Sequence, residues 1–201
     1  MATHDDEPSL LARSRDGDLD AFNTLVERHQ RSVFNLCLRM LGSTQAAEDA
    51  TQEAFISAFR SIKSLRGAGF RAWLARIAAN ACYDELRRRR SRPAVSLDEP
   101  VHPDELPADV ASGEPTPDEQ AERHQLARLI QHALSQLPPD QRLAIILCDV
   151  QGFDYAEIAQ ATGASLGTVK SRISRGRSHL RVLLQAGGEL LPARLRQIRE
   201  G

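Results

Sequence analysis

The segment from Tyr155 to Arg177, YAEIAQATGASLGTVKSRISRGR, constrains this chain more tightly than any other. It reads as a helix, a tight glycine turn and a second helix whose outer face carries Lys and Arg. That is the layout of a helix-turn-helix, whose second helix enters the major groove of DNA. Ile158 and Ala159 are expected to face inward, the small Ala lying where two helices approach closely. Gly163 can supply the positive φ that ends the first helix. Ser165 suits the N-cap of the second. Val169 and Ile173, four apart, then form that helix's buried stripe. With those two pointing inward, Lys170, Ser171 and Arg175 are candidates to face the groove. Thr168, Arg172 and Arg177, with Ser165 at the cap, are better placed for phosphate. The plain alternative is a helical hairpin with a solvated basic face.

Hydrophobic spacing is helical almost throughout, with no convincing alternating strand. Ser9 to Arg15 reads as a short first helix. Asp18 or Asp20 can cap a long second one, whose Phe22, Leu25, Val26, Val33, Leu36, Cys37 and Met40 keep one buried face. Gly42 ends it, and Ser43 can start a third helix burying Ala54, Phe55, Ala58, Phe59 and Ile62. After a break at Arg66-Gly67-Ala68-Gly69, a fourth runs from Phe70 to about Arg90. It buries Phe70, Trp73, Leu74, Ile77, Ala81 and Leu86, with Trp73 placed in the core. From Arg92 to Pro117 the chain has six prolines, many acids and no apolar periodicity, as in a flexible extended linker. Helical spacing resumes at Asp118 and runs to about Leu137. Pro139 fits the first turn of another helix, from Asp140 to Val150. The last helix of the helix-turn-helix extends to Leu184. Gly187-Gly188 sets off a basic tail with Leu191, Leu195 and Ile198 on one face, suited to an added packing helix. The expected fold is therefore all-α: two small helical domains, 1–92 and 118–184, joined by a flexible acidic linker at 93–117, with a short tail at 185–201.

A chain of 201 residues allows one or two small domains, each with its own modest core. The formal net charge of −1 hides an uneven distribution. From Arg92 to Gln120 there are eight acids and one base, and from Gly163 to Leu184 five bases and no acid. That basic patch, not the total, points to a nucleic-acid partner. Cys37, Cys82 and Cys148 lie far apart in apolar helical stretches, without zinc-binding spacing, and read as buried reduced thiols. No metal or other cofactor is expected. The polar, acidic N-terminus does not read as a signal peptide, and no apolar run reaches the roughly 20 residues of a membrane span. A soluble, cytoplasmic protein with no membrane insertion is expected. His29 with Glu27, or Asp84 with Glu85, offer only a faint acid/base pairing without a nucleophile motif or phosphate loop, so no enzyme is expected.

Two further segments separate the kinds of helix-turn-helix protein. EDATQEAF runs from Glu48 to Phe55; FRAWLARIAAN runs from Phe70 to Asn80 and is followed by DELRRRR, from Asp84 to Arg90. With the TVKSRISRGR run, these resemble the extracytoplasmic-function (group 4) bacterial RNA polymerase sigma factors. The likeness covers both helical domains, roughly Ser9–Arg92 and Asp118–Leu184, as sigma region 2-like and sigma region 4-like bodies.

The resemblance implies a subunit that binds core RNA polymerase and recognises two promoter elements, upstream (−35) and downstream (−10). It also implies help in melting the downstream one, in a stress or envelope response. By that likeness, Asp49, Gln52 and Glu53 dock on the clamp helices of the polymerase's largest subunit. Acids and an amide at helical spacing suit a basic partner, although helix-start capping explains acids there as well. The second domain is implied to lie at the flap region. Arg66, Gly67, Ala68 and Gly69 form a loop able to admit an everted base, and Asn80 can meet its edge. Arg76, Arg87 and Arg88 can hold the single strand. Leu65 stands where many members carry an aromatic, so strand opening is expected to need a good promoter match. The acidic linker, with Asp98, Glu99, Asp104 and Glu105, is implied to pass through the polymerase's active-site cleft and RNA exit path. An anti-sigma factor is an implied partner alongside polymerase and promoter DNA. A stand-alone helix-turn-helix regulator binding duplex DNA as a dimer is the alternative. It leaves the first domain's loop, Asn80 and Arg run unexplained.

Overall fold

In the computed structural model, residues 6–65, 69–91 and 116–186 are described. Among them the chain forms eight α-helices and no strand. The first body holds α1 (Glu7–Arg15), α2 (Leu19–Leu41), α3 (Thr44–Ser61) and α4 (Phe70–Ser91). The second holds α5 (Pro117–Ser135), α6 (Pro139–Ile145, continued by a π-helical turn at Ile146–Val150), α7 (Tyr155–Thr162) and α8 (Leu166–Ala186).

Helix starts fall where a side-chain oxygen can satisfy a free amide. Asp6 accepts from the Ser9 amide, Asp18 from those of Asp20 and Ala21, and Ser43 from that of Ala46. Backbone hydrogen bonds at its cap hold the Asp18 carboxyl below its usual range. Asp154 and Glu157 form a reciprocal capping box at the head of α7, both bonds being 2.8 Å. Pro139 occupies the first turn of α6, as its fixed φ favours.

In the first body α2 packs against α1, α3 and α4, burying Leu25, Leu36, Cys37, Leu38 and Met40. Phe59 departs from expectation. It is 37% exposed and makes an edge-on contact with Phe22, at 5.0 Å between centroids. Trp73 is partly buried and packs on Phe70. Leu65, in the aromatic's place, is buried, and its carbonyl accepts from Arg15 at 2.7 Å. Cys37 on α2 and Cys82 on α4 are both buried in the core, and the neighbouring Cys37 thiol together with burial pushes the Cys82 thiol well up. Cys148 is only half-buried.

The two helical bodies expected from the sequence are present, and their buried apolar residues adjoin. One apolar cluster runs from Leu10 through Ile62 and Cys82 to Ile146, Val169 and Ile173. Helix α4 explains why. Besides the expected stripe it buries Ala72, Ala75, Ala78, Ala79 and Cys82, so it is covered on two sides and packs on α2, α3 and α7. Its alanines look neutral in sequence, yet they let neighbouring helices come close. Small bundles bury too little surface alone, and sharing a face adds to what each buries.

Polar groups join the bodies as well. Four carbonyls at the end of α2 find four different donors. Leu38 accepts from the Gly42 amide, Arg39 from Gln131 Nε2, Met40 from the Arg142 guanidinium, and Leu41 from Arg89. Gln131 and Arg142 belong to α5 and α6, so the second body caps a helix of the first. Arg142 is 7% exposed and also donates to the carbonyls of Ser135 and Leu137. The linker, the start of the 66–69 loop and the basic tail beyond Ala186 lie outside the described residues.

Candidate nucleic-acid interface

The recognition helix α8 is built as its spacing requires. Gly163 has φ 66°, the left-handed conformation that a residue with a Cβ resists. Ser165 Oγ accepts from the Thr168 amide at 3.2 Å and pairs with the Thr168 hydroxyl at 2.9 Å. Val169 and Ile173 are buried, while Ile158 and Ala161 line the inner side of α7. Ala159, expected inward, is only partly buried.

This packing leaves Lys170 and Arg175 exposed, without an ion pair among the described residues. Ser171 is half-buried and donates back to the Thr168 carbonyl. Arg172 and Arg177 are placed differently. Arg172 pairs with Asp140 at 3.0 Å, and Arg177 holds Asp149 with two nitrogens, at 3.1 and 2.5 Å. The Arg177 pair holds the Asp149 carboxyl below its usual range and raises that of the guanidinium. These two arginines therefore fasten α8 to α6 and its π-helical turn. Gly176 completes that seam, where a side chain would strike Ile145.

On the first body, Arg76 and Asn80 are exposed one turn apart on α4. Asn80 and Arg87 share a cleft of about 480 Å³ with Tyr83, Asp84, Leu86 and Arg90. Its remaining wall is Pro139, from the second body. Burial raises the Tyr83 hydroxyl's range, and Tyr83 also feels the charges of Arg172 and Asp140 across the junction. Arg87 pairs with Asp84; Arg88 lies 3.4 Å from Glu85 and 3.8 Å from Glu53. Arg89 is drawn inward to Glu85 and the Leu41 carbonyl, so the Arg run is not one uniform solvated face. Gly69 is exposed and its carbonyl starts α4 by accepting from Trp73; Arg66, Gly67 and Ala68 lie outside the described residues.

Asp49, Gln52 and Glu53 are exposed on α3. Ile56 and Phe59 continue the same strip, 43% and 37% exposed. Sequence reading missed this continuation, although both fall at helical spacing from Gln52 and Glu53. It also missed a second junction between the bodies. The Arg71 guanidinium lies 3.9 Å above the Phe153 ring and donates to the Gln151 carbonyl. Gln151 Nε2 in turn donates to the Ser32 carbonyl at 2.7 Å. No local signal marks Gln151, but an aromatic after Gly152 in a polar loop marks Phe153. Among the described residues there is no cluster of ligands able to hold a metal, and no helix is long and apolar enough to cross a membrane.

Comparison with known proteins agrees with this layout. Sigma-70 region 2 matches residues 25–92 and Sigma-70, region 4 matches residues 127–180. The ECF RNA polymerase sigma factor SigE of Mycolicibacterium smegmatis is 39% identical over 163 residues, covering 81% of this chain and 61% of that protein. SigM of Mycobacterium tuberculosis, also an ECF RNA polymerase sigma factor, is 37% identical over 179 residues, covering 89% and 84%. Among solved structures, CnrH in complex with the cytosolic domain of CnrY aligns with a TM-score of 0.64 at 26% identity, covering 88% of this chain and 96% of that one. The sigma factor RpoE in complex with the anti-sigma factor NepR from Bartonella quintana aligns with a TM-score of 0.62 at 26% identity, covering 82% and 96%.

Proposed function

This chain belongs to the extracytoplasmic-function RNA polymerase sigma factors, and from that premise we infer how its surfaces divide the work of promoter recognition. It associates with core RNA polymerase through α3, whose exposed Asp49, Gln52 and Glu53 face a basic partner helix. Helix α8 reads the upstream element, with Lys170 and Arg175 at base edges and Thr168 beside them at phosphate. The exposed face of α4 takes the melted downstream element, Asn80 at a base edge and Arg76, Arg87 and Arg88 along the strand. The chain acts by binding, without catalysing a reaction, and works in the cytoplasm where polymerase and DNA are. The similar sigma factor RpoE is in complex with the anti-sigma factor NepR, and this chain is regulated by a partner of that kind.

One observation supports this reading most: a helix-turn-helix with a free Lys and Arg shares its chain with a second exposed polar face on α4. A stand-alone regulator has no use for the latter. Each body alone makes few phosphate contacts and binds weakly, and polymerase adds the two by holding both on one promoter. The test is transcription by purified core polymerase with this chain added, followed by mapping of start sites. Promoter-dependent starts are expected. Failure to associate with core polymerase, with no promoter preference conferred, refutes the reading. Within it, Asn80→Ala should impair strand opening more than duplex binding; unchanged permanganate reactivity of the downstream element would remove Asn80 from its role.

A further inference from the structure

Tyr83 stands on the same stripe of α4 as the residues assigned to the melted strand. Arg76, Asn80, Tyr83, Arg87 and Arg90 follow at steps of four and three residues, the spacing that keeps side chains on one helix face. The Arg and Asn members are exposed, and Tyr83 is half-buried. At 1.5 Å per residue the stripe runs for about 21 Å. Asn80, Tyr83, Arg87 and Arg90 line one cleft of about 480 Å³, within the roughly 300–1,000 Å³ of sites that hold small organic molecules. All four belong to α4.

These side chains match the parts of one nucleotide. Asn80 has donors and an acceptor for a base edge. Tyr83 has an aromatic face on which any base can stack. Arg87 and Arg90 are cations for phosphate. Asp84 draws off part of the Arg87 charge, which leaves Arg90 the stronger phosphate ligand. Positive charge gathers at that end: burial first, and the charge of Arg90 next, hold the Arg142 guanidinium below its usual range. Burial holds the Tyr83 hydroxyl above its own range, so the phenol stays neutral beside a polyanion. The earlier aromatics of α4 are engaged elsewhere, since Phe70 is buried and Trp73 packs on it. Leu65, ahead of the loop, is buried as well.

We propose that Tyr83 is the stacking platform for one base of the melted downstream element, its ring under the base face while Asn80 meets the base edge and Arg90 the adjoining phosphate. The inference rests on the sigma-factor reading above and adds to it a strand-holding residue and a phosphate ligand. Stacking on an aromatic tolerates every base. Tyr83 therefore sets how firmly the opened strand is held, and Asn80 sets which base is preferred.

The test uses holoenzyme assembled from core polymerase and the full-length chain, on the promoter found by start-site mapping. Forked templates carry the downstream element single-stranded, with an abasic site placed at one position at a time. With the parent chain, loss of the stacked base should weaken binding by about fivefold or more. Tyr83→Leu should weaken binding to the intact template by the same factor and abolish the abasic penalty at that position alone, because both changes remove one contact. Tyr83→Phe should match the parent, since the ring carries the contact. Arg90→Gln should reduce the slope of log affinity against log salt by about 0.7, as for one phosphate contact on a single strand; an unchanged slope removes Arg90 from the site. If Tyr83 only supports the fold, Tyr83→Leu lowers binding on all templates alike and leaves every abasic penalty in place, which overturns the proposal. A Tyr83→Phe variant as weak as Tyr83→Leu overturns it too, by assigning the contact to the hydroxyl. Co-sedimentation separates the two readings. A chain that does not bind polymerase refutes the sigma-factor assignment and the stacking role together, whereas promoter-dependent starts with every abasic penalty intact in Tyr83→Leu refute the stacking role alone.

Discussion

Gly176 sits in the middle of α8, where its lack of a side chain costs about 1 kcal/mol of helix propensity relative to Ala. On local grounds, Gly176→Ala should therefore stabilise the chain. The packing argues the reverse. A Cβ at this position would lie 2.8 Å from Ile145 Cγ1, 3.2 Å from Ile145 Cδ1 and 3.4 Å from the Gln141 carbonyl oxygen. Carbon contacts are comfortable at roughly 3.5–4.0 Å, so α8 would have to lift from α6 or Ile145 would have to leave its rotamer. Overpacking of this kind costs about 1–3 kcal/mol, which exceeds the propensity gain. The expected net effect is a loss of about 1 kcal/mol in urea unfolding followed by circular dichroism, with unchanged slope. A double-mutant cycle isolates the cause. Ile145→Ala alone should cost about 2–5 kcal/mol, since Ile145 is 3% exposed. Introducing Gly176→Ala into that background removes the collision and should be neutral or stabilising. If Gly176→Ala stabilises the parent, or costs the same in both backgrounds, the close approach is not the reason for the glycine.

Lys170→Ala and Arg175→Ala should each weaken binding to the upstream element by about 1–3 kcal/mol in titrations against specific and scrambled duplexes; equal losses on both would reassign them to phosphate. Arg142→Ala strands the carbonyls of Met40, Ser135 and Leu137 in a buried junction and should destabilise by roughly 3 kcal/mol in urea unfolding; a loss below about 1 kcal/mol would show that water replaces the guanidinium. Asp149→Asn should cost less than about 1 kcal/mol near neutral pH, because the pair with Arg177 is half-exposed. The Asp149 carboxyl is held below its usual range when folded, so its contribution is present above the unfolded value of about 4 and disappears as pH falls through the lower folded value. The stability curves of the parent and the Asp149→Asn variant should accordingly converge at acid pH, and a constant gap down to the acid limit would contradict the pairing.

Sequence alone was enough for what local chemistry decides. Helix starts at Asp18, Ser43 and Pro139, the turn at Gly163, the Ser165 cap and the inward pair Val169 and Ile173 follow from the bonds a backbone must make and from a period near 3.6. The segments at Glu48–Phe55 and Phe70–Asn80 likewise led to the family. Partner choice over long separations was not legible. Arg172 and Arg177 looked like free phosphate ligands because Asp140 and Asp149 lie 32 and 28 residues away in the chain, and only folding sets them side by side. Phe59 kept a core-like spacing, yet among the described residues it is left 37% exposed.

The shared core shows the same division most clearly. Alanines on α4 carry little hydrophobic signal, so a second buried face on that helix does not announce itself. Nor does the spacing of Gln131 and Arg142 reveal that they meet carbonyls at the end of α2, some ninety to a hundred residues earlier. Backbone bonds and amphipathic periods are short-range and leave their mark in neighbouring residues. Which helix faces which depends on side chains competing for the same surface, and that competition is settled only when the whole chain has packed.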